Sequence, residues 1–375
     1  MGKIWTYYHK VKIVFGCKAF DTLNKEIEAF EGKKVFLVSD PVMGKIGVLD
    51  RAVEQIGKDR VVVFDQVPSN PPYQVMDECA EIIKKENCDT VVAIGGGSSI
   101  DVAKCSSLLV VAGGSAVNYL SAPQTFTKPG LPLIAIPTTA GTGSEVNRFM
   151  VGTDPERQLK IATAPPVAYP KIAILDPEML LTLPKNQTAS TGIDAFSHAI
   201  EAYWSQQAQP ISDMNALEAM RLSLKWLPKA IEDGSDIEAR ENTMLASMYA
   251  SFAFGNTGTC ACHAISYPLT VKYGVEHGYA CGFTMPEVLD WTWDALGSEK
   301  QGMLENVLGV KGKDAAVEKI RDFSVSCGTP AKLSDIGIKP EDIESIPAFT
   351  APMNLKNTNP SVDNQGVIDI LKKKM

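Results

Sequence analysis

Thr90-Val-Val-Ala-Ile94 runs directly into Gly95-Gly-Gly-Ser-Ser99, and an amphipathic stretch begins at Ile100. A short apolar run rich in β-branched residues is the pattern of a buried strand, and the glycines that follow allow a tight turn into a helix. Such a turn lets the backbone approach a pyrophosphate, whose charge the N–H groups of the helix start can bind. The G-x-G-x-x-G spacing of the common dinucleotide fingerprint is absent. At this stage a plain tight turn explains the glycines as well as a nucleotide site does.

Four more runs of the same kind surround it: Val35 to Val38, Val61 to Phe64, Leu133 to Ile136 and Ile172 to Leu175. Helical patterns lie between them, such as Tyr73 to Glu86 with apolar residues at 75, 76, 79, 80, 82 and 83. Strands alternating with helices predict a doubly wound α/β domain with a parallel sheet. After Leu183-Pro184 the strand signal stops, and Gln187 to Trp204, Ser212 to Ile231 and Asp236 to Phe254 show helical periodicity instead. We therefore expect an α/β domain over 1–184 and an all-α helical domain over 185–375, with Pro184 as the break.

Two other features sit at strand ends. Pro137-Thr-Thr-Ala-Gly-Thr-Gly-Ser-Glu145 interleaves hydroxyl residues with glycine after the fourth strand, as a phosphate or ribose pocket requires. Asp40 closes the strand Val35 to Val38, where a carboxylate could accept hydrogen bonds from an adenosine ribose and repel a 2′-phosphate. Asp40-Pro41 would equally well open a turn.

The chain has four histidines, and three of them fall in the helical half. Asp194 and His198 are four apart, so both project from one helix face, and His263 and His277 could complete an O-N-N-N set suited to Fe²⁺ or Zn²⁺. Spacing alone leaves hydrogen-bonded structural histidines as an equal alternative. The Cys260-Ala261-Cys262-His263 run lacks the two-to-four-residue spacer of zinc-binding cysteine pairs, so both thiols read as small core residues.

A formal net charge of -8 argues against nucleic acid and anionic membranes as partners and favours a small molecule. Residues 1–12 contain no apolar run resembling a signal peptide or membrane anchor. Eight cysteines without a secretion signal fit reduced thiols, and a cytoplasmic location is expected.

These residues resemble the iron-containing alcohol dehydrogenase family over nearly the whole chain. The resemblance rests on Gly95-Gly-Gly-Ser98 with Asp101 and Lys104, Pro137-Thr-Thr-x-Gly-Thr-Gly-Ser-Glu145, Gly192-x-Asp194-Ala-x-x-His198-Ala-x-Glu201, and His263 followed by His277-Gly278. It implies a dehydroquinate synthase-like fold, NAD(H), and one divalent metal held by Asp194, His198, His263 and His277. It implies a cofactor site lined by Asp40, Gly95, Gly96, Gly97, Ser98, Asp101, Thr138, Thr139, Thr142, Ser144 and Lys160. The active site is implied to lie in the cleft between the domains, with Arg148, Phe149, Phe254 and Thr259 bordering the substrate, and a homodimer to form through a strand near Lys12 to Phe15.

Many members carry another histidine four residues after the third ligand, where this chain has Tyr267, a candidate proton donor. His263-Ala-Ile-Ser-Tyr-Pro-Leu-Thr270 and Glu201-Ala-Tyr-Trp-Ser205 are similar to the branch that reduces sulfoacetaldehyde or phosphonoacetaldehyde. The implied reaction is reduction of a small anionic aldehyde by NADH, with the metal as Lewis acid; sulfoacetaldehyde would give isethionate. A broad primary alcohol dehydrogenase (butanol, 1,3-propanediol or lactaldehyde type) is the near alternative. An NAD-using lyase or cyclase of the same fold belongs to a different class.

Overall fold

The computed structural model describes residues 4–121, 124–157 and 159–375. The chain divides into two compact units, one of His9–Thr139 with Gly143–Leu180, the other of Leu181–Met375 with Ala140–Thr142 and the residues up to Tyr8.

The first unit contains β1 (Lys12–Phe15), α1 (Leu23–Glu28), β2 (Val35–Ser39), α2 (Pro41–Lys45), α3 (Val48–Ile56), β3 (Val61–Phe64), α4 (Tyr73–Glu86), β4 (Thr90–Gly95), α5 (Gly97–Ala112), α6 (Ala116–Leu120), β5 (Leu133–Pro137), β6 (Met150–Asp154), β7 (Leu159–Thr163) and β8 (Ile172–Leu175). Six strands form one sheet in the order β1-β8-β5-β4-β2-β3, and every pair in it is parallel. The doubly wound expectation is met. Helices cover both faces, which is why the central strands are apolar without alternation.

On one face Met76, Cys79 and Ile83 of α4 and Ile100 and Leu108 of α5 pack in one core with Phe36, Val91, Ala93 and Ala135. On the other, Leu23 and Ile27 of α1 and Leu49, Ala52 and Ile56 of α3 share a core with Leu37, Val92, Ile134 and Ile174. The helices that follow β2 and β4 thus leave toward opposite faces. The carboxyl ends of those two neighbouring strands are therefore the topological switch point, the place where such sheets bind nucleotides.

The antiparallel hairpin β6-β7, Met150↔Thr163 through Asp154↔Leu159, is not foreseen from the sequence. Neither of its strands carries the clean apolar run that marks the sheet strands, and Gly152 interrupts the first.

The second unit is helical: α7 (Lys185–Trp204), α8 (Pro210–Glu232), α9 (Ile237–Thr257), α10 (Ala261–Tyr273), α11 (His277–Phe283), α12 (Met285–Leu308), α13 (Lys313–Ser326), α14 (Pro352–Asn357) and α15 (Asn364–Lys372). From Thr188 to Trp204 nearly every residue of α7 is buried, as expected of a helix surrounded by others. It packs against α8, α9 and α11. No helix among the described residues is long and apolar enough to cross a membrane.

Candidate metal and nucleotide sites

Asp194 and His198 lie one turn apart on α7, and the same buried face carries Glu201 one turn further on. His263 stands in the first turn of α10 and His277 opens α11. Two glycines let α11 come close: a Cβ on Gly278 would lie 1.8 Å from the Ser190 carbonyl oxygen, and one on Gly282 2.5 Å from Ile193. Only a hydrogen at those positions permits the approach that carries His277 to Asp194.

The side chains converge. Asp194 Oδ1 is 3.5 Å from His263 Nε2 and 3.8 Å from His277 Nε2, while Asp194 Oδ2 is 3.9 Å from His198 Nδ1. The His198 ring stacks at 4.4 Å on His263 and at 4.0 Å on Phe254. Donors bonded to one ion at 2.0 to 2.3 Å in a tetrahedral arrangement stand roughly 3.3 to 3.7 Å apart, close to the separations from Asp194.

Asp194 Oδ1, His198 Nδ1 and His263 Nε2 are buried and have no hydrogen-bond partner. Buried polar atoms are almost always paired, so three unpaired ones facing each other require an explanation, and a divalent ion supplies it. The residues present therefore fit a metal. Burial opposes ionisation of Asp194, but His198, His277 and His263 around it hold its carboxyl well below the usual range. Burial pushes His198 down to about 4, which leaves the imidazole neutral as coordination requires.

Behind these donors sits a second layer. Glu201, fully buried, accepts hydrogen bonds from the main-chain N–H groups of Cys260 at 2.9 Å, Cys262 at 2.5 Å and His263 at 3.2 Å, and its Oε2 is 2.5 Å from His263 Nδ1. A carboxylate can only accept, so His263 Nδ1 carries a proton directed at Glu201, which turns Nε2 toward Asp194. The His198 ring is fixed from the other side by a hydrogen bond to the Gly141 backbone. A Cβ on Gly141 would come within 2.7 Å of the Thr191 carbonyl oxygen, which explains the glycine in that loop. The motif around Asp194 already contained Glu201; its spacing of seven from Asp194 was the available signal for this role.

Cys281, one turn after His277 on α11, is the functional candidate that sequence reasoning missed. One donor atom from each of Asp194, His263, His277 and Cys281 lies within 4.8 Å of the others. Cys260 and Cys262 are buried at the start of α10, as expected of core thiols.

In the α/β unit, Gly95 has φ +149°, and a Cβ there would strike Ser99 Oγ at 2.6 Å and reach Asp40 Oδ2 at 3.0 Å. Gly96, Gly97 and Ser98, partly exposed, form the first turn of α5. Thr138 donates its N–H to the Gly95 carbonyl at 3.0 Å, which ties the two polar loops at the ends of β4 and β5 together. Asp40 caps α2 by accepting from the Val42 N–H at 2.9 Å, so its turn-opening role is real and leaves its second oxygen toward the Gly95 turn.

Asp101 and Ser144 are committed to the scaffold. Ser144 Oγ donates to Asp101 Oδ1 at 2.5 Å, Val151 donates to Asp101 Oδ2 at 3.0 Å, and the buried Lys104 ammonium donates to Ser144 Oγ at 2.6 Å and the Phe149 carbonyl at 2.8 Å. This network anchors the hydroxyl loop and β6 to α5. Burial pushes Lys104 down to about 8 and the neighbouring Glu145 up to about 7. Thr139 is half-buried beside Gly96, Thr142 belongs to the helical unit, and Lys160 lies on β7.

The expected substrate residues are split between the units. Arg148 and Phe149 follow the hydroxyl loop, and Arg148 Nε is buried without a hydrogen-bond partner. Phe254 and Thr259 belong to the helical unit, Phe254 against His198 and Thr259 accepting from Asn354 at 2.7 Å. Tyr267 is on α10 one turn after His263, and burial raises its hydroxyl above the ordinary range.

A parallel sheet with polar loops at its switch point and a buried carboxylate-imidazole cluster are the parts that a nucleotide-using, metal-dependent enzyme requires. Residues 10–177 match the family described as iron-containing alcohol dehydrogenase, and residues 188–375 match the C-terminal part of the Fe-containing alcohol dehydrogenase family. The chain belongs to the iron-containing alcohol dehydrogenase family and is an NAD-dependent alcohol dehydrogenase or aldehyde reductase using a divalent metal.

Among curated relatives it is 36% identical to a choline dehydrogenase of Bacillus subtilis, over 92% of this chain and 89% of that one. It is 35% identical to a 1,3-propanediol dehydrogenase of Citrobacter freundii, over 92% and 91%. Among solved structures, the sulfoacetaldehyde reductase from Bifidobacterium kashiwanohense in complex with NAD+ superposes with a TM-score of 0.94 at 33% identity, covering 100% of this chain and 99% of that one.

Proposed function

We propose that the protein reduces a small anionic aldehyde to its primary alcohol with NADH, with sulfoacetaldehyde going to isethionate as the leading case and phosphonoacetaldehyde next. Its metal would be held by Asp194, His198, His263 and His277. The observation that carries the metal centre is the set of three unpaired buried donor atoms on Asp194, His198 and His263. The bound cofactors supply the chemistry, the ion as a Lewis acid at a carbonyl oxygen and NADH as hydride donor.

The chain's own residues do the positioning. Gly95, Gly96, Gly97 and Ser98 present the start of α5 to the pyrophosphate, Asp40 takes the ribose, and Thr138, Thr139, Thr142 and Lys160 complete the cofactor site. Asp101 and Ser144 support that site through the buried network with Lys104. Tyr267 holds its proton at neutral pH and can hand it to the product oxygen. Phe254 and Thr259 border the substrate with Phe149, and the unpartnered Arg148 Nε favours an anionic group.

Full-length similarity to the sulfoacetaldehyde reductase supports this substrate class. The similarity to choline and 1,3-propanediol dehydrogenases favours a second reading, a broad primary alcohol dehydrogenase. NADH consumption by the metal-loaded protein with sulfoacetaldehyde, phosphonoacetaldehyde, lactaldehyde and butanal, and NAD reduction with choline, separates the two. We expect the anionic aldehydes to lead; equal rates on all four aldehydes, or choline ahead of them, would sink the anionic assignment. Product formation without NADH loss would instead indicate a lyase or cyclase.

The same reading includes a cytoplasmic homodimer. All eight cysteines are free, as in a reducing compartment, and β1 is an edge strand paired only with β8 among the described residues.

A further inference from the structure

We propose that Asn357 is a positioning residue for the metal centre, holding the peptide group between Thr259 and Cys260 in the orientation that Glu201 needs in order to fix His263. The inference rests on the metal centre proposed above and adds to it a residue from the C-terminal part of the chain.

The link between α9 and α10 is short, Gly258, Thr259 and Cys260. Its last peptide group is held from both sides. On one side the Cys260 N–H donates to Glu201 Oε2 at 2.9 Å, and that same oxygen lies 2.5 Å from His263 Nδ1. On the other side the Thr259 carbonyl accepts from Asn357 Nδ2 at 3.1 Å. A peptide group is planar, so its N–H and C=O turn together. Releasing the carbonyl therefore lets the plane swing, and the swing withdraws a hydrogen bond from the oxygen that orients the imidazole.

Asn357 is itself fixed against α7. Its Nδ2 also donates to the Thr257 carbonyl at 2.8 Å, and its Oδ1 accepts from Ser205 Oγ at 3.0 Å. Two carbonyls can only accept, so the amide nitrogen must face the link and the amide oxygen must face the serine. Ser205 ends α7 one turn beyond Glu201. Main-chain bonds from Gln206 to the Asn357 carbonyl at 2.8 Å and from Asn359 to the Trp204 carbonyl at 3.2 Å fasten α14 and the residues after it to the same end of α7. One amide thus sets the start of α10 against the helix that carries Asp194, His198 and Glu201.

An asparagine that bridges two carbonyls of a helix link would by itself read as a staple of the fold. What separates Asn357 from that role is where the peptide group leads, through its N–H to Glu201 Oε2. Asn354, one turn earlier on α14, supplies the contrast: its Nδ2 donates to Thr259 Oγ1 at 2.7 Å, a side-chain contact that leaves the peptide group alone.

Chelator competition for cobalt(II) on the full-length protein tests the assignment, with melting temperature and circular dichroism of the metal-free forms as measures of fold. Asn357→Ala removes the donor; Asn357→Asp keeps the volume and the acceptor for Ser205 but sets a carboxylate against two carbonyl oxygens. We expect both to weaken cobalt binding about tenfold, the lower end of the effect of removing partners of metal ligands, while Asn354→Ala stays near the wild-type affinity. In a Glu201→Gln background Asn357→Ala should cost little further affinity, because residues that act through one another are not additive. Wild-type affinity in both Asn357 variants, even with a lowered melting temperature, makes the asparagine a staple and overturns the proposal while the centre stands. An equal loss in Asn354→Ala overturns it by assigning the effect to α14 as a whole, and a full further loss in the Glu201→Gln background overturns it by separating Asn357 from Glu201. Wild-type protein that takes up no cobalt overturns the centre and the proposal together. The main-chain bonds of α14 to α7 do not involve the substituted side chain, so both variants should keep the wild-type circular dichroism spectrum.

Discussion

Glu201 Oε2 lies 2.5 Å from His263 Nδ1, and the same carboxylate receives three main-chain N–H groups from the start of α10. One buried side chain thus caps a helix and sets the orientation and tautomer of a candidate metal ligand. Glu201→Gln keeps the shape but replaces one acceptor oxygen with a donor amide, leaving an N–H unpaired and the His263 tautomer unfixed. We expect apparent metal affinity to fall about 10- to 100-fold, with a stability loss of about 1–3 kcal/mol in the metal-free protein. Chelator competition measures the first and thermal unfolding the second. Unchanged affinity would reduce Glu201 to a helix cap.

Gly278 makes a different demand. A methyl group there would lie 1.8 Å from the Ser190 carbonyl oxygen, which belongs to the α7 backbone and cannot rotate away. Gly278→Ala must therefore push α11 off α7 and take His277 and Cys281 with it. Overpacking of this kind costs about 1–3 kcal/mol or more. The diagnostic result is a lowered melting temperature accompanied by lost metal content; a variant that melts earlier yet retains a full equivalent of metal would show that α11 can shift without disturbing the donors.

Glu145 gives the pH dependence. Burial raises its folded-state value from 4.5 to about 7, so below about pH 4.5 the carboxyl is protonated in both folded and unfolded chains and costs nothing. As pH rises from 4.5 toward 7 the unfolded chain ionises first, and stability declines by at most about 3 kcal/mol. Above 7 the decline is complete. Glu145→Gln lacks this titration, so its melting temperature relative to wild type should be higher near pH 8 than near pH 5 in nucleotide-free protein. An equal difference at both values would mean that Glu145 is not the titrating group.

Much of the architecture was readable because it rests on local pattern. The five apolar runs became five strands of one sheet, and Tyr73 to Glu86 became α4 with those bounds. The pair Asp194 and His198 was legible from helical spacing alone, and the same rule extended by one turn reaches Glu201. What spacing cannot convey is the approach of α11 to α7, which depends on Gly278 and Gly282 meeting Ser190 and Ile193 in a distant segment. Without that contact Cys281 is one buried thiol among several. The hairpin β6-β7 was hidden for a related reason. It is fixed by tertiary hydrogen bonds, Val151 to Asp101 and Thr153 to the Pro71 carbonyl, rather than by its own composition.

Asp40 offers a test of nucleotide choice in which charge and structure can be separated. Its side chain accepts the Val42 N–H as the cap of α2, while Oδ2 would stand 3.0 Å from a Cβ on Gly95, at the turn proposed to take the pyrophosphate. Asp40→Ser retains a capping oxygen, so α2 should lose only a few tenths of a kcal/mol, but it removes the negative charge that would face a 2′-phosphate. Asp40→Ala removes both. If the carboxylate selects NADH by repulsion, both variants should raise the ratio of kcat/KM for NADPH over NADH, on the order of tenfold or more, and only Asp40→Ala should also lose stability by about 1 kcal/mol. The two readouts move independently, which distinguishes a charge effect at the ribose from a loosened turn. A cofactor ratio that stays at the wild-type value in Asp40→Ser would place the selection elsewhere in the loop.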